Sequence, residues 1–212
     1  MVQAKTQKSF WKVYTPRNIW LESVHRLKKL RRVQHEVDNH ADRVGAFYDE
    51  YHDKFMRVYG DVIQAFRTRD VAHLLDYQIA AMELRPGQRV LDAGCGVAAP
   101  AIHFARQAGV QVDGITISQK QYETALTNIR TAGMTEQVRV VRGDYHRMTD
   151  YFPAASYDVI CFLESFGHSK AKQDLLDVCW KMLKPGGLMY IKDLFLRIPL
   201  LAEHKKKLLR KF

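Results

Sequence analysis

Three cysteines in 212 residues, Cys95, Cys161 and Cys179, are too few and too irregularly spaced for a disulfide framework or a structural zinc site. An odd count without a Cys-x-x-Cys pair fits reduced thiols. The chain has no apolar run approaching the ~20 residues of a membrane-spanning helix, and its first residues, MVQAKTQKSFWKVY, lack the apolar stretch of a secretory signal. The expected location is therefore cytoplasmic. No repeat or low-complexity tract is present. The middle of the chain also lacks positive excess. Of 33 basic and 23 acidic side chains, ten and four lie in residues 1–43 and six and one in residues 197–212, leaving 17 and 18 in between. The net +10 thus resides at the ends. A nucleic-acid-binding body would need that charge on the folded core, so nucleic acid is not an expected partner.

What is present is an ordinary composition, 47% apolar and 26% charged, long enough for one domain with appendages. From about residue 86, short β-branched runs alternate with helical patterns. The runs are Arg89–Leu91, Val110–Ile117, Val138–Val141, Asp158–Leu163 and Leu188–Phe195, and the helices between them are Ala99–Ala108, Gln119–Ala132 and Lys170–Leu183. Repeated units of this kind require right-handed crossovers, which predicts an α/β, doubly wound, mostly parallel sheet. Residues 17–85 carry no convincing strand. Ile19, Val24, Leu27 and Leu30, then Phe47, Tyr51, Phe55 and Tyr59, recur at helical spacing and predict a helical N-terminal extension. The expected organisation is a basic helical extension over 1–45, an aromatic-rich helical cap over 46–85, the α/β domain over 86–196 and a basic tail over 197–212. The segment RNIWLESVHRLKKLRR is basic on one side and apolar on the other. Such a helix can lie peripherally on an anionic membrane, or pack on its own protein or on a second subunit.

The first strand runs into VLDAGCGVAAP, where Gly94, Gly96 and Ala98–Ala99 occupy the turn that opens the next helix. Glycines there let the backbone approach a ligand, and the helix N-terminus offers free amides. Between a strand and a helix, the pattern is a nucleotide-type cofactor signal. A nicotinamide dinucleotide site would end the second strand with a carboxylate for the ribose. Asp113 is near the right interval, but the strand continues past it, so the strand end carries Thr116 instead.

VLDAGCG, GITISQKQ, GDY and LKPGGLMYIKD together resemble the class I S-adenosylmethionine-dependent methyltransferases, a Rossmann-like family, over roughly residues 85–195. GITISQKQ, with Thr116 where many such enzymes have an acid, resembles the branch of cyclopropane fatty acid synthases and sterol and prenyl-diphosphate C-methyltransferases. The resemblance implies S-adenosyl-L-methionine as cofactor. Asp92, Gly94 and Gly96 would border its methionyl end, Thr116 and Gln121 would face the ribose or adenosine, Asp144 would accept from the adenine amine, and Tyr145 would flank the adenine. As plain residues, Asp144 has a bland reading as a turn aspartate after Gly143, and Gln121 one as a solvent-facing helix residue.

The run YDVICFLE delivers Glu164 to the end of the fourth strand, followed by Ser165, Phe166, Gly167 and His168. Ligands of open parallel sheets bind at such ends. E-S-F-G-H resembles the Glu-x-x-x-His block of sterol C-methyltransferases, and Glu-Ser resembles the prenyl-diphosphate enzymes. A double bond that attacks an activated methyl becomes a carbocation, which needs aromatic faces or a carboxylate and then a base. Glu164 could serve both needs, with His168 taking the proton or orienting the carboxylate. Tyr51, Phe55 and Tyr59 recur on one helix face, and Tyr51 is the expected aromatic partner. Ordinary helix core, a capping glutamate and a loop histidine remain the bland accounts.

The family usually adds two strands after LKPGG…IKD, whereas here IPLLAEHKKKLLRKF follows Phe195. The expectation is a sheet short of a C-terminal hairpin, whose edge either a partner chain covers, as in a homo-oligomer, or further material not in this sequence would cover. The leading expected activity is C-methylation of a small apolar acceptor, an isoprenoid or lipid-like alkene of the prenyl-diphosphate or sterol type. Small-molecule N- or O-methylation is the alternative, and an inactive cofactor-binding assembly protein the third reading. A diphosphate acceptor would bring Mg²⁺, although no carboxylate spacing identifies a metal site.

Overall fold

The computed structural model describes residues 40–64 and 70–195, which belong to one compact unit beginning at His40. The amphipathic segment 17–32 and the tail 197–212 lie outside the described residues. Helix α1 covers 40–59 and runs across the expected 45/46 boundary, and α2 spans Val71–Ala81. The α/β core follows as β1 (Arg89–Ala93), α3 (Ala99–Ala108), β2 (Gln111–Thr116), α4 (Gln119–Thr131), β3 (Val138–Arg142), β4 (Tyr157–Leu163), α5 (Lys172–Met182) and β5 (Leu183–Lys192). The sheet is parallel throughout, in the order β3-β2-β1-β4-β5. Among the described residues, no helix is long and apolar enough to cross a membrane.

Alternating residues of the central strands feed opposite faces. Val90, Val112 and Val159 point into the layer of α2, α3 and α4 with Leu75, Phe104 and Ile129. Leu91, Ile115 and Ile160 point to the other layer, with Met148, Leu175 and Met182. Burial on both faces is what makes these strands read as unbroken apolar runs. Local signals set the helix ends. Pro100 sits in the first turn of α3, Gly109 closes it at φ 65°, and Ser118 caps α4 by accepting from Gln121 N.

One detail differs from the sequence pattern and another follows it. β5 starts at Leu183 rather than Leu188. Leu183 pairs with Tyr157, the register then slips, and pairing resumes at Val159 with Leu188. Lys184–Gly187 form the irregularity, where Pro185 has no amide to donate and Gly186 takes φ +78°. A strand at the edge of the described sheet tolerates both. Asp113 lies in the middle of β2, buried, where it accepts from Arg89 Nη2 at 2.8 Å and Tyr157 Oη at 2.7 Å. It is a core partner and does not reach the ligand end of its strand.

Candidate active site

The C-terminal ends of β1, β2, β4 and β5 meet beneath α1. After β1 the chain turns sharply. Gly94 (φ +100°), Gly96 (φ +54°) and Ala98 (φ 65°) are all left-handed, and Gly94 N and Cys95 N donate to Ile115 O at 2.9 and 3.0 Å. A Cβ at Gly94 would fall 2.4 Å from Ser165 Cβ, so glycine is required by packing as well as by φ. Ser165 Oγ in turn donates to Ala93 O at 2.5 Å and locks the loop after β4 to the loop after β1. A Cβ at Gly96 would meet nothing within 4 Å. That open space lies beside the first turn of α3, which has no side-chain cap.

Asp92 is fully buried on β1, and neither carboxylate oxygen has a hydrogen-bond partner. Burial pushes its pKa up to about 7, opposed in part by the nearby Cys161 thiol. Asp92 stands two residues before the Gly94 turn, with both carboxylate oxygens buried. At the end of β2, Thr116 Oγ1 donates to Gln121 Oε1 at 2.9 Å, and both residues are buried. Gln121 is therefore no solvent-facing helix residue. Asp144 Oδ1 accepts from His146 N at 2.9 Å and His146 Nδ1 at 2.7 Å. Burial alone would raise its pKa, but these bonds outweigh it and hold the group below its ordinary value. Asp144 thus caps the 3-10 turn Tyr145–Asp150, as a turn aspartate does. The Tyr145 hydroxyl donates to Ser165 O at 3.2 Å and its ring meets Phe162 edge-on at the end of β4.

That end gathers the acidic and aromatic groups. Glu164, at φ 63°, forms an ion pair with Lys192 of β5, and both side chains are largely buried. His168 closes a short 3-10 turn, Phe166–His168. A 2.8 Å hydrogen bond joins His168 Nε2 to Tyr48 Oη, and His40 Nε2 donates to His168 O at 2.7 Å. Asp193 Oδ2 accepts from Gly167 N at 2.7 Å. Burial, then Asp193 and Glu164, push the Tyr48 phenol up to about 12. Burial, then Asp144, Tyr48 and Asp193, also raise Tyr145. Burial lowers the His168 pKa, with Asp193 opposing and His40 and Lys172 adding to the fall.

Glu164 and His168 therefore come together with an aromatic, but the aromatic is Tyr48. Tyr51, one turn later, packs on Phe47 at 4.9 Å and under the Lys54 ammonium at 4.7 Å. With Phe47, Tyr48, Tyr51 and Phe55 spread around α1, spacing alone could not choose the inward ring. Lys192, Asp193 and His40 were also missed. Lys192, the last residue of β5, and Asp193, the next one, carried a usable signal, since the strand-end rule that selected Glu164 applies equally to IKD. Among the described residues, no group of three or more His, Cys, Asp or Glu is placed to hold a metal ion.

Residues 28–210 match the family model described as mycolic acid cyclopropane synthetase. The 27-O-demethylrifamycin SV methyltransferase of Amycolatopsis mediterranei is 31% identical over 166 residues, 74% of this chain and 60% of that protein. The sterol 24-C-methyltransferase of Yarrowia lipolytica is 33% identical over 130 residues, 61% of this chain and 33% of that one. The chain thus spans between a third and three fifths of these curated relatives' length. A solved S-adenosylmethionine-dependent methyltransferase from Thiobacillus denitrificans, in complex with S-adenosyl-L-homocysteine, is 26% identical with a TM-score of 0.55, over 65% of this chain and 54% of that one.

Proposed function

We propose, from the premise that the chain belongs to the mycolic acid cyclopropane synthetase family of class I S-adenosylmethionine-dependent methyltransferases, that it methylates a carbon of an isoprenoid or related lipid-like alkene. The orphaned Asp92 carboxylate, the open space at Gly96 and the buried Thr116–Gln121 pair fit S-adenosylmethionine. In this reading Asp92, Gly94 and Gly96 hold its amino-acid half, and Thr116 and Gln121 hold its ribose or adenosine. When bound it supplies an already activated methyl group, so the chain's task is in-line positioning and exclusion of water.

The observation that carries the carbon reading is the surround of Tyr48. Burial and the Asp193 and Glu164 carboxylates hold its phenol protonated, up to about 12. Burial is the larger cause, and the field that the Asp193 and Glu164 carboxylates add to it is what would favour a carbocation beside the ring. The Tyr48 and Tyr145 rings add electron-rich faces, while Lys192 balances part of the Glu164 charge. Proton loss then follows the Tyr48–His168 bond. With the imidazole proton on Nδ1, His168 Nε2 accepts the phenol proton as the phenol oxygen takes the one leaving the acceptor. The C–H electron pair closes the new double bond, and His168 returns its proton to water.

Incubation with methyl-labelled donor and a panel of prenyl diphosphates, sterols, phenols and amines tests the reading. Label on carbon is expected, and Tyr48→Phe should lower kcat about 10²-fold. Label found only on oxygen or nitrogen would overturn the carbon assignment. The Tyr48–His168 pair can also deprotonate a hydroxyl, and the rifamycin relative is named for O-linked chemistry, so O-methylation is the second reading.

A further inference from the structure

The proposed proton path ends on His168, which sits on a three-residue turn, and one carboxylate outside that turn holds it in place. Asp193 follows the last residue of β5. Its Oδ1 accepts from Leu194 N and its Oδ2 from Gly167 N, each at 2.7 Å, so it ties the end of β5 to the turn that carries His168. The fit is close. A Cβ at Gly167 would stand 3.3 and 3.4 Å from the two carboxylate oxygens, so the turn lies directly on the carboxylate. The other holds on His168 come from its own turn, through His168 N to Ser165 O at 3.2 Å, and from α1, through His40 and Tyr48.

We propose that Asp193 is the positioning residue of this site: its carboxylate fixes the 166–168 turn so that the His168 ring meets Tyr48, and its charge supports the imidazolium that forms when His168 takes up a proton. The inference rests on the reading of Tyr48 and His168 as the proton path. The electrostatics agree with the geometry. The charged and titratable groups around His168 are Tyr48 and His40 from α1, Lys172 from the start of α5, Glu164 on its own loop, His146 bonded to the adjoining Ser169 Oγ, and Asp193. Burial, His40 and Lys172 all disfavour the imidazolium, and Asp193 opposes them.

Asp193→Asn keeps an oxygen for Gly167 N but removes the charge, whereas Asp193→Ala removes both. The His168 imidazole titration, followed by NMR in the donor-free chain and assigned by its loss in His168→Gln, is the first readout. In Asp193→Asn its midpoint should move to lower pH, because the imidazolium has lost a favourable neighbour. The acidic limb of the kcat–pH profile should move with it. In Asp193→Ala, kcat at the optimum should fall roughly tenfold to a hundredfold with KM little changed, as for a misplaced catalytic group. A His168 titration that stays put in both variants overturns the proposal, whatever activity does. If that titration moves but the kcat profile does not follow, the positioning role stands and the proton path through His168 is what fails.

Discussion

Asp92 is a carboxyl group sealed in the protein without a polar partner, and that costs the donor-free protein stability. Its folded pKa is raised from 3.8 to about 7. Between those values the folded state holds a proton that the unfolded chain has released, so stability falls as pH rises through that window and levels off above it. Asp92→Asn, permanently neutral, should therefore be more stable than the parent by a few kcal/mol at pH 8 and about equal to it near pH 4. Urea unfolding at the two pH values measures this. Equal stability at pH 8 would mean the carboxylate is relieved by a partner. The same variant should bind donor more weakly, because the buried charge attracts the bound cation across the Gly94 turn. The turn after Asp92 was legible because its cause is local, a strand that runs into a left-handed glycine. Tyr48 was not, because its selection over Tyr51 depends on how α1 meets the sheet.

At the scale of elements, α1 links the ends of two strands that never pair with each other. Asp49 Oδ1 accepts from Ser118 Oγ at 2.5 Å and Lys120 N at 3.0 Å, which adds a carboxylate to the N-terminus of α4. His52 bonds Thr124 at 3.1 Å, and Gly45 leaves just enough room for Ile117, since a Cβ would lie 3.4 Å away. On its other side, α1 reaches His168 through Tyr48 and His40. Helical spacing predicted α1 as a helix, but these anchors are polar residues scattered over three segments, and no periodicity marks them. Asp49→Ala should cost about 1 kcal/mol. Hydrogen exchange should quicken across 40–59 and leave β1, β2 and β4 protected, and donor affinity should fall because Thr116 and Gln121 lie beneath the loosened contact. Unchanged exchange in 40–59 would show that α1 is held by its apolar face alone. The start of β5 escaped sequence reading for a similar reason. Lys184–Gly187 has turn composition, and only pairing with Tyr157 draws Leu183 into the strand.

For the whole molecule, alternation of apolar runs and helices was enough to predict a parallel α/β sheet, because burial on both faces leaves that pattern in any such chain. Strand order is different. It follows from crossovers between distant segments, and the order β3-β2-β1-β4-β5 puts the switch in winding direction between β1 and β4. The Ser165–Ala93 bond spans that switch, with the Gly94 turn and Asp92 on one side and Glu164 and His168 on the other. A ligand seated there touches both sides of the switch, so its binding should stabilise the fold as a unit. At a free concentration of about 100 times Kd, S-adenosyl-L-homocysteine should add about 2.7 kcal/mol. For a chain of this size that is a rise in Tm of about 5–10 °C, read by scanning calorimetry. The rise should be smaller in Asp92→Asn at equal ligand concentration, since the weaker site is less saturated. Folded parent protein whose Tm does not respond to either S-adenosylmethionine or S-adenosyl-L-homocysteine would remove the donor site, and every assignment built on it, from this crevice.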